Sequence, residues 1–313
     1  MKKIIKAMAV MAAAFAVASC SREQLVETDV NATAGESVIT ASIDNDLTKT
    51  TLSGDDTAGY EVFWSEGDKL FVSDANIECW AAVYTLDRSS AGSSNGLFGW
   101  HEGDTFVKVD ENCQRPAFQE DVLYMALYPY DIIDLDNDYR ITWKTEQTYS
   151  VTDRYIPMFS LGDCENNGNA HFVFSNLGGL LRLTVKGSAT VRSIKISAAN
   201  DEAMSGEIRY VIPNEDDKYF AYMATEIDGI PLDTRNYITL DCGTGGVDLS
   251  PEGTDFHISI PLGEYTDVSI ALTDMNGNVC EKKLKDDNQL VIRRSEITVA
   301  SFTASDFHPQ IAQ

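Results

Sequence analysis

Short runs of alternating apolar and polar residues, each ended by a turn signal, recur from Val38 to Phe302. Side chains two positions apart share one face of a strand, so such runs suit a half-buried sheet and not a helix of 3.6-residue period. In the first half the runs are 38–43, 60–64, 69–73, 80–86, 105–109, 122–128 and 139–143, with Ser53-Gly54, Gly67-Asp68, Asn95-Gly96 and Asn167-Gly168 as punctuation. In the second half Leu181, Leu183 and Val185 share one face while Arg182 and Thr184 take the other. Phe256, Ile258 and Ile260 repeat the pattern, as do Val268, Ile270 and Leu272. Asp274-Met275-Asn276-Gly277-Asn278 then supplies an Asn-Gly hairpin turn into 279–284. The run 122–128 is apolar on both faces and predicts a strand buried on both sides. The fold class is all-β.

The N-terminus is of another kind. Met1, Lys2, Lys3 and Lys6 precede an apolar run over 7–18. That is too short for a membrane-spanning helix, which needs about 20 residues, and its order is that of a secretion signal. Val17-Ala18-Ser19-Cys20 resembles a bacterial lipobox, in which the cysteine is acylated and becomes the mature N-terminus. Residues 1–19 are therefore expected to be removed, and 20–36, which show no periodicity, to form a tether from lipidated Cys20. The remainder exceeds one ordinary sandwich of about 100 to 150 residues. Two bodies are expected, 37–168 and 169–313, divided in the Asp-, Asn- and Gly-rich loop 162–169.

A formal net charge of −25 repels phosphate backbones and argues against nucleic-acid binding. Beyond Cys20, Cys79, Cys113, Cys164, Cys242 and Cys280 form no Cys-x-x-Cys pair, so they read as small buried hydrophobes, with one disulfide possible. His101, His171, His257 and His308 are too far apart in sequence to form a His-Glu-x-x-His metal motif. Gly92-Ser93-Ser94-Asn95-Gly96 has the spacing of a serine nucleophile elbow but sits in a Ser-rich loop with no helix to follow. Asp134, Asp136 and Asp138 alternate like calcium ligands, yet Tyr139 replaces the required glycine and Thr145 the bidentate acid. Gly243-Thr244-Gly245-Gly246 lacks the Gly-Lys-Ser/Thr of a phosphate loop. Tyr124, Tyr128 and Tyr130 offer flat faces for a sugar ring, although core packing explains them better, as it does Trp64 and Trp80. No catalytic, metal or cofactor residue is assigned.

Several phrases, in order along the chain, carry a resemblance: Thr48-Lys49-Thr50-Thr51-Leu52, the run Val62-Phe63-Trp64-Ser65-Glu66-Gly67-Asp68-Lys69-Leu70-Phe71-Val72, and Tyr84-Thr85-Leu86. Tyr124-Met125-Ala126-Leu127-Tyr128-Pro129-Tyr130 and Tyr155-Ile156-Pro157-Met158-Phe159 continue it. It ends with Phe172-Val173-Phe174-Ser175-Asn176-Leu177-Gly178-Gly179-Leu180-Leu181-Arg182-Leu183 and Leu272-Thr273-Asp274-Met275-Asn276-Gly277-Asn278. Together they resemble the fimbrillin-like family, the type V pilus subunits and related surface lipoproteins of Gram-negative anaerobes. The resemblance implies two tandem transthyretin-like Greek-key β-sandwich domains in an outer-membrane lipoprotein. It also implies assembly with other fimbrial subunits, in which a trypsin-like protease removes the N-terminal strand and a strand from the next subunit fills the groove. On spacing, cleavage after Lys49 would release strand 38–43, whereas the family's processing arginine has no clear counterpart here. The expected donor is the C-terminal segment, with Ile297 and Val299 on one face and Ala300 and Phe302 on the other; the alternative is an ordinary last strand.

The expected role is thus a structural, anchor or tip subunit in adhesion, with no catalysis. A monomeric glycan-binding surface lipoprotein is the alternative, and a surface glycosidase, whose two carboxylates a sequence cannot place, is the third.

Overall fold

The computed structural model describes residues 38–43, 63–75, 79–100, 104–108, 110, 118–119, 122–134, 140–151, 155–162, 164, 169–199, 201–211, 220–223, 226–227, 230–284 and 289–309. The expectations for residues 1–36, including lipidated Cys20, and for Lys49, His101, Cys113, Asp136 and Asp138 lie outside them.

In chain order the strands of the first half are β1 (Val38–Ile43), β2 (Lys69–Asp74), β3 (Trp80–Leu86), β4 (Asn95–Gly99), β5 (Phe106–Lys108), β6 (Tyr124–Tyr128), β7 (Ile133–Asp134), β8 (Arg140–Trp143), β9 (Glu146–Thr148) and β10 (Met158–Gly162). Next come β11 (Ala170–Asn176), β12 (Gly178–Lys186), β13 (Thr190–Ser197), β14 (Ser205–Val211), β15 (Phe220–Met223), β16 (Glu226–Ile227), β17 (Ile230–Pro231) and β18 (Thr234–Arg235). The chain closes with β19 (Tyr237–Asp241), β20 (Val247–Asp248), β21 (Thr254–Pro261), β22 (Gly263–Tyr265), β23 (Ser269–Asp274), β24 (Asn278–Lys283), β25 (Leu290–Ile292), β26 (Ile297–Thr303) and β27 (His308–Pro309). The only helices among the described residues are two single 3₁₀ turns, Arg88–Ser90 and Tyr130–Ile132. No described helix is long and apolar enough to cross a membrane.

The first sheet runs β2-β6-β10-β11-β1-β4-β3-β5, and β2 also pairs with β3, so the sheet closes on itself with β5 outside the ring. Around this ring only β1 and β11 are parallel. Alternation fills its interior: Ile39, Ala41 and Ile43 from β1, Leu70 and Val72 from β2, Ala82 and Tyr84 from β3, and Phe172 and Phe174 from β11 are buried in one cluster. The opposite faces of β2, β6 and β10 are buried too. Phe71, Met125, Leu127 and Phe159 belong to a second cluster, together with residues of the chain's second half. This is why the run 122–128 is apolar on both faces.

The second cluster lies between the three-stranded sheet β21-β12-β26 and the seven-stranded sheet β27-β24-β23-β13-β19-β9. Leu181, Leu183 and Val185 of β12 and Phe256, Ile258 and Ile260 of β21 meet Ile194 and Ile196 of β13, Ile238 and Leu240 of β19, and Ile270 and Leu272 of β23. The Asn276-Gly277 hairpin joins β23 to β24 as read from the sequence, with Gly277 at φ +83°.

Some expectations shift. Asn95-Gly96 opens β4 instead of making a turn, and Phe63 and Trp64 lie in no strand. The strand pairing also crosses the expected 168/169 division both ways. β11 is hydrogen-bonded into the first sheet beside β1 and β10, while β8 and β9 pair with β14 and β19 of the second half. The chain passes from the first sheet to the three-stranded sheet across Leu177 alone, between β11 and β12.

Candidate strand-exchange site

β1 is seated on both sides. It pairs parallel with β11, from Ile39↔Ala170 to Ile43↔Phe174, and antiparallel with β4, from Val38↔Gly99 to Ser42↔Asn95. Its inward row reads large, small, large: Ile39, Ala41 and Ile43 are all buried. The small residue has a cause. Ala41 stands opposite Gly96, where a Cβ would come within 2.8 Å of Leu86 and Phe98 and 2.9 Å of Trp64, so the space between β1 and the ring's centre is already full. The Trp64 indole packs edge-on against Phe98, Tyr128 and Phe174, with centroids 5.1, 5.4 and 5.6 Å away. Asp68 fixes the turn after Trp64 by accepting from the Ser65 N–H at 2.7 Å and from the Tyr128 hydroxyl at 2.9 Å. On the outward face the Thr40 hydroxyl and His171 Nδ1 are hydrogen-bonded at 2.8 Å.

β26 is the opposite case. It pairs parallel with β12, Leu180↔Ile297 through Lys186↔Thr303, and ends the three-stranded sheet with no further strand beside it among the described residues. The four residues singled out from the sequence lie on this strand as a pattern of two faces. Ala300 and Phe302 pack on the second core and Ile297 on the first, whereas Val299 is 56% exposed. The strand therefore serves as a last strand of its own chain and at the same time offers an open, partly apolar edge.

The turn before β26 is bonded to the β11–β12 junction. The Ser295 N–H donates to the Gly178 carbonyl at 3.0 Å, the Leu180 N–H to the Glu296 carbonyl at 3.0 Å, and the Arg294 guanidinium to the Asn176 carbonyl at 3.0 Å. Gly179 permits this approach, since a Cβ on it would lie 2.5 Å from the Arg293 carbonyl oxygen, and Gly178 likewise lets β21 come close, since a Cβ there would lie 2.4 Å from the Ile260 carbonyl oxygen.

Among the described residues, those considered for chemistry are not brought together. Ser93 precedes a strand and not a helix, and its hydroxyl accepts from the Asn95 N–H at 3.0 Å. His257 is half-buried between buried Phe256 and Ile258, and His171 belongs to β11. No group of three His, Cys, Asp or Glu side chains suited to a metal occurs among the described residues. Tyr124 is buried, and burial pushes its phenol upward, while Tyr130 is exposed with the Lys69 ammonium 5.7 Å from its ring centre. Trp64 and Trp80 are core residues, as expected. Cys79 is in a disulfide, whereas Cys242 and Cys280 are free thiols. Gln147, a polar side chain only 4% exposed, is not legible as a buried residue in the sequence, because a Gln between Glu146 and Thr148 carries no signal of burial.

No family model and no curated protein matches this sequence. Solved structures do. A candidate cell adhesion protein of Bacteroides ovatus aligns over 88% of this chain and 98% of its own, at 13% identity and a TM-score of 0.50. This chain shares its fold. A candidate cell adhesion protein of Bacteroides uniformis covers 88% of this chain and 94% of its own at 16% identity and TM-score 0.47. A fimbrial protein of Bacteroides ovatus covers 87% of this chain at 12% identity and TM-score 0.32, with this chain spanning 49% of its length.

Proposed function

We propose that this chain is a fimbrillin-like surface lipoprotein, anchored to the outer membrane through acylated Cys20, that serves as a structural, anchor or tip subunit in adhesion. It acts by shape and strand pairing, not by bond chemistry. On this reading it comprises two tandem transthyretin-like Greek-key sandwiches, with β11 belonging to the first and β9 to the second. The phrases running from Thr48 to Asn278 support the family, and the fold shared with a candidate Bacteroides adhesion protein agrees with it.

The observation that carries the reading is the pairing of a deeply seated N-terminal strand with an open C-terminal one. Cleavage after Lys49 leaves β1 held by non-covalent contacts, its two ladders, three buried side chains and the hydrogen bonds to Trp64 and His171, so its loss opens a groove lined by β4 and β11. β26 of another copy has a comparable inward row, with Ala300 as the small residue and Phe302 as the large one. Strand addition supplies main-chain hydrogen bonds and lets alternate side chains refill the pockets.

The test is limited trypsin treatment of the chain lacking residues 1–19. The expected product begins at Thr50 and forms a ladder of oligomers that survives mild detergent. A product that begins at Thr50 but stays monomeric would sink the strand-exchange reading.

A further inference from the structure

Counting only the strands of the second half, the three-stranded sheet ends at β21 and the seven-stranded sheet at β19. No strand between residues 178 and 309 covers either of them among the described residues. What covers them comes from the first half of the chain. β9 pairs parallel with β19, with Gln147 in register with Leu240. On either side of it, the Thr239 N–H donates to the Thr145 carbonyl at 2.8 Å and the Tyr149 N–H to the Asp241 carbonyl at 2.8 Å.

From that position the Gln147 side chain crosses to the opposite sheet. Its Nε2 donates to the Ser259 carbonyl at 2.7 Å, and its Oε1 accepts from the Ser259 N–H at 2.9 Å. A carboxamide carries an N–H donor and a C=O acceptor side by side, as a peptide unit does, so Gln147 replaces the neighbouring strand that β21 lacks at Ser259. Without it, both main-chain groups of a residue that is 3% exposed lose this partner. Trp143 Nε1 adds a second donor to the Ser259 carbonyl at 3.2 Å, and the Tyr149 ring lies 5.5 Å from that of Phe256.

We infer that residues 143–149 are a built-in strand occupying a receiving groove between β19 and β21, and that Gln147 is the group that locks it there. The second sandwich is then closed by a segment of the first half, with main-chain pairing to one sheet and side-chain pairing to the other. The groove selects its occupant by chemistry: an extended segment with an indole N–H and, four residues on, a carboxamide aimed at an unpaired serine backbone.

Cys242 reports on this groove. It continues the inward row of Ile238 and Leu240, is 8% exposed, and burial pushes its thiol up to about 12, so it reacts slowly while the groove is closed. Cys280, on β24, is 2% exposed and donates to the Ser305 carbonyl at 3.1 Å, away from the groove strands in sheet order. The experiment compares the chain lacking residues 1–19 in two forms, one with Cys242 and one with Cys280 as the free thiol, each reacted with a disulfide dye under native conditions. Gln147→Ala and Gln147→Leu are both expected to accelerate Cys242 labelling about tenfold and to leave Cys280 unchanged, because local opening exposes only the groove. Glu146→Ala, at an exposed neighbour, is expected to change neither. Acceleration of both thiols, or of neither, overturns the inference. Acceleration by Ala alone also overturns it, because Leu keeps the volume and removes only the amide.

Discussion

The Trp64 indole N–H donates to the main-chain carbonyl of Ala41 at 3.3 Å, so a residue outside every strand ties β1 to the centre of the first core. The same indole ring leaves no room for a larger residue on β4 opposite Ala41. Gly96→Ala is therefore expected to destabilise the chain by about 1–3 kcal/mol through overpacking. Urea unfolding of the purified variant measures this, and an unchanged midpoint would contradict the packing argument.

Gly178 and Gly245 give a matched contrast. A Cβ on Gly178 would meet the Ile260 carbonyl oxygen at 2.4 Å and the Trp143 ring at 2.5 Å, whereas nothing lies within 4 Å of one on Gly245. Gly178→Ala should cost about 1–3 kcal/mol. Gly245→Ala should stay within about 0.5 kcal/mol. Thermal melts of the two variants side by side decide it.

On β26, exposed Val299 and core-facing Phe302 should separate in their effects. Val299→Lys is expected to change monomer stability by no more than about 0.5 kcal/mol, as for a surface substitution. Phe302→Ala should lower it by about 1–3 kcal/mol, less than a fully buried Phe because the ring is only partly covered. Equal losses in denaturant titrations would mean that β26 sits differently.

Asp274 makes the hairpin between β23 and β24 pH-dependent. Burial opposes its charge, but donors from the Asn278 side chain and backbone and the Asn276 backbone, at 2.8 to 2.9 Å, outweigh burial and hold the carboxyl below its usual range. A depressed folded pKa contributes stability that is present above the unfolded value of about 3.9 and is lost as pH falls through the folded one. Asp274→Asn should therefore be less stable than the parent at pH 7, with the gap narrowing as the pH is lowered below about 4. A gap that is the same at both ends of that titration would rule out the charge-assisted role.

The class of structure is legible in short stretches of the chain. Alternation put Leu181, Leu183 and Val185 on one face, doubly apolar 122–128 announced a strand covered on both sides, and Asn276-Gly277 located a hairpin. These are local matters, set by side-chain period and turn chemistry within a few residues. Which strands neighbour one another was decided only in three dimensions. Nothing in the run 170–176 says that it pairs with β1 and not with its successor β12, and nothing in Glu146-Gln147-Thr148 says that its glutamine crosses a sandwich to Ser259. Pairing partners are fixed by which edges remain open after the cores have closed, and that is a property of the whole chain with no counterpart in any short stretch of it.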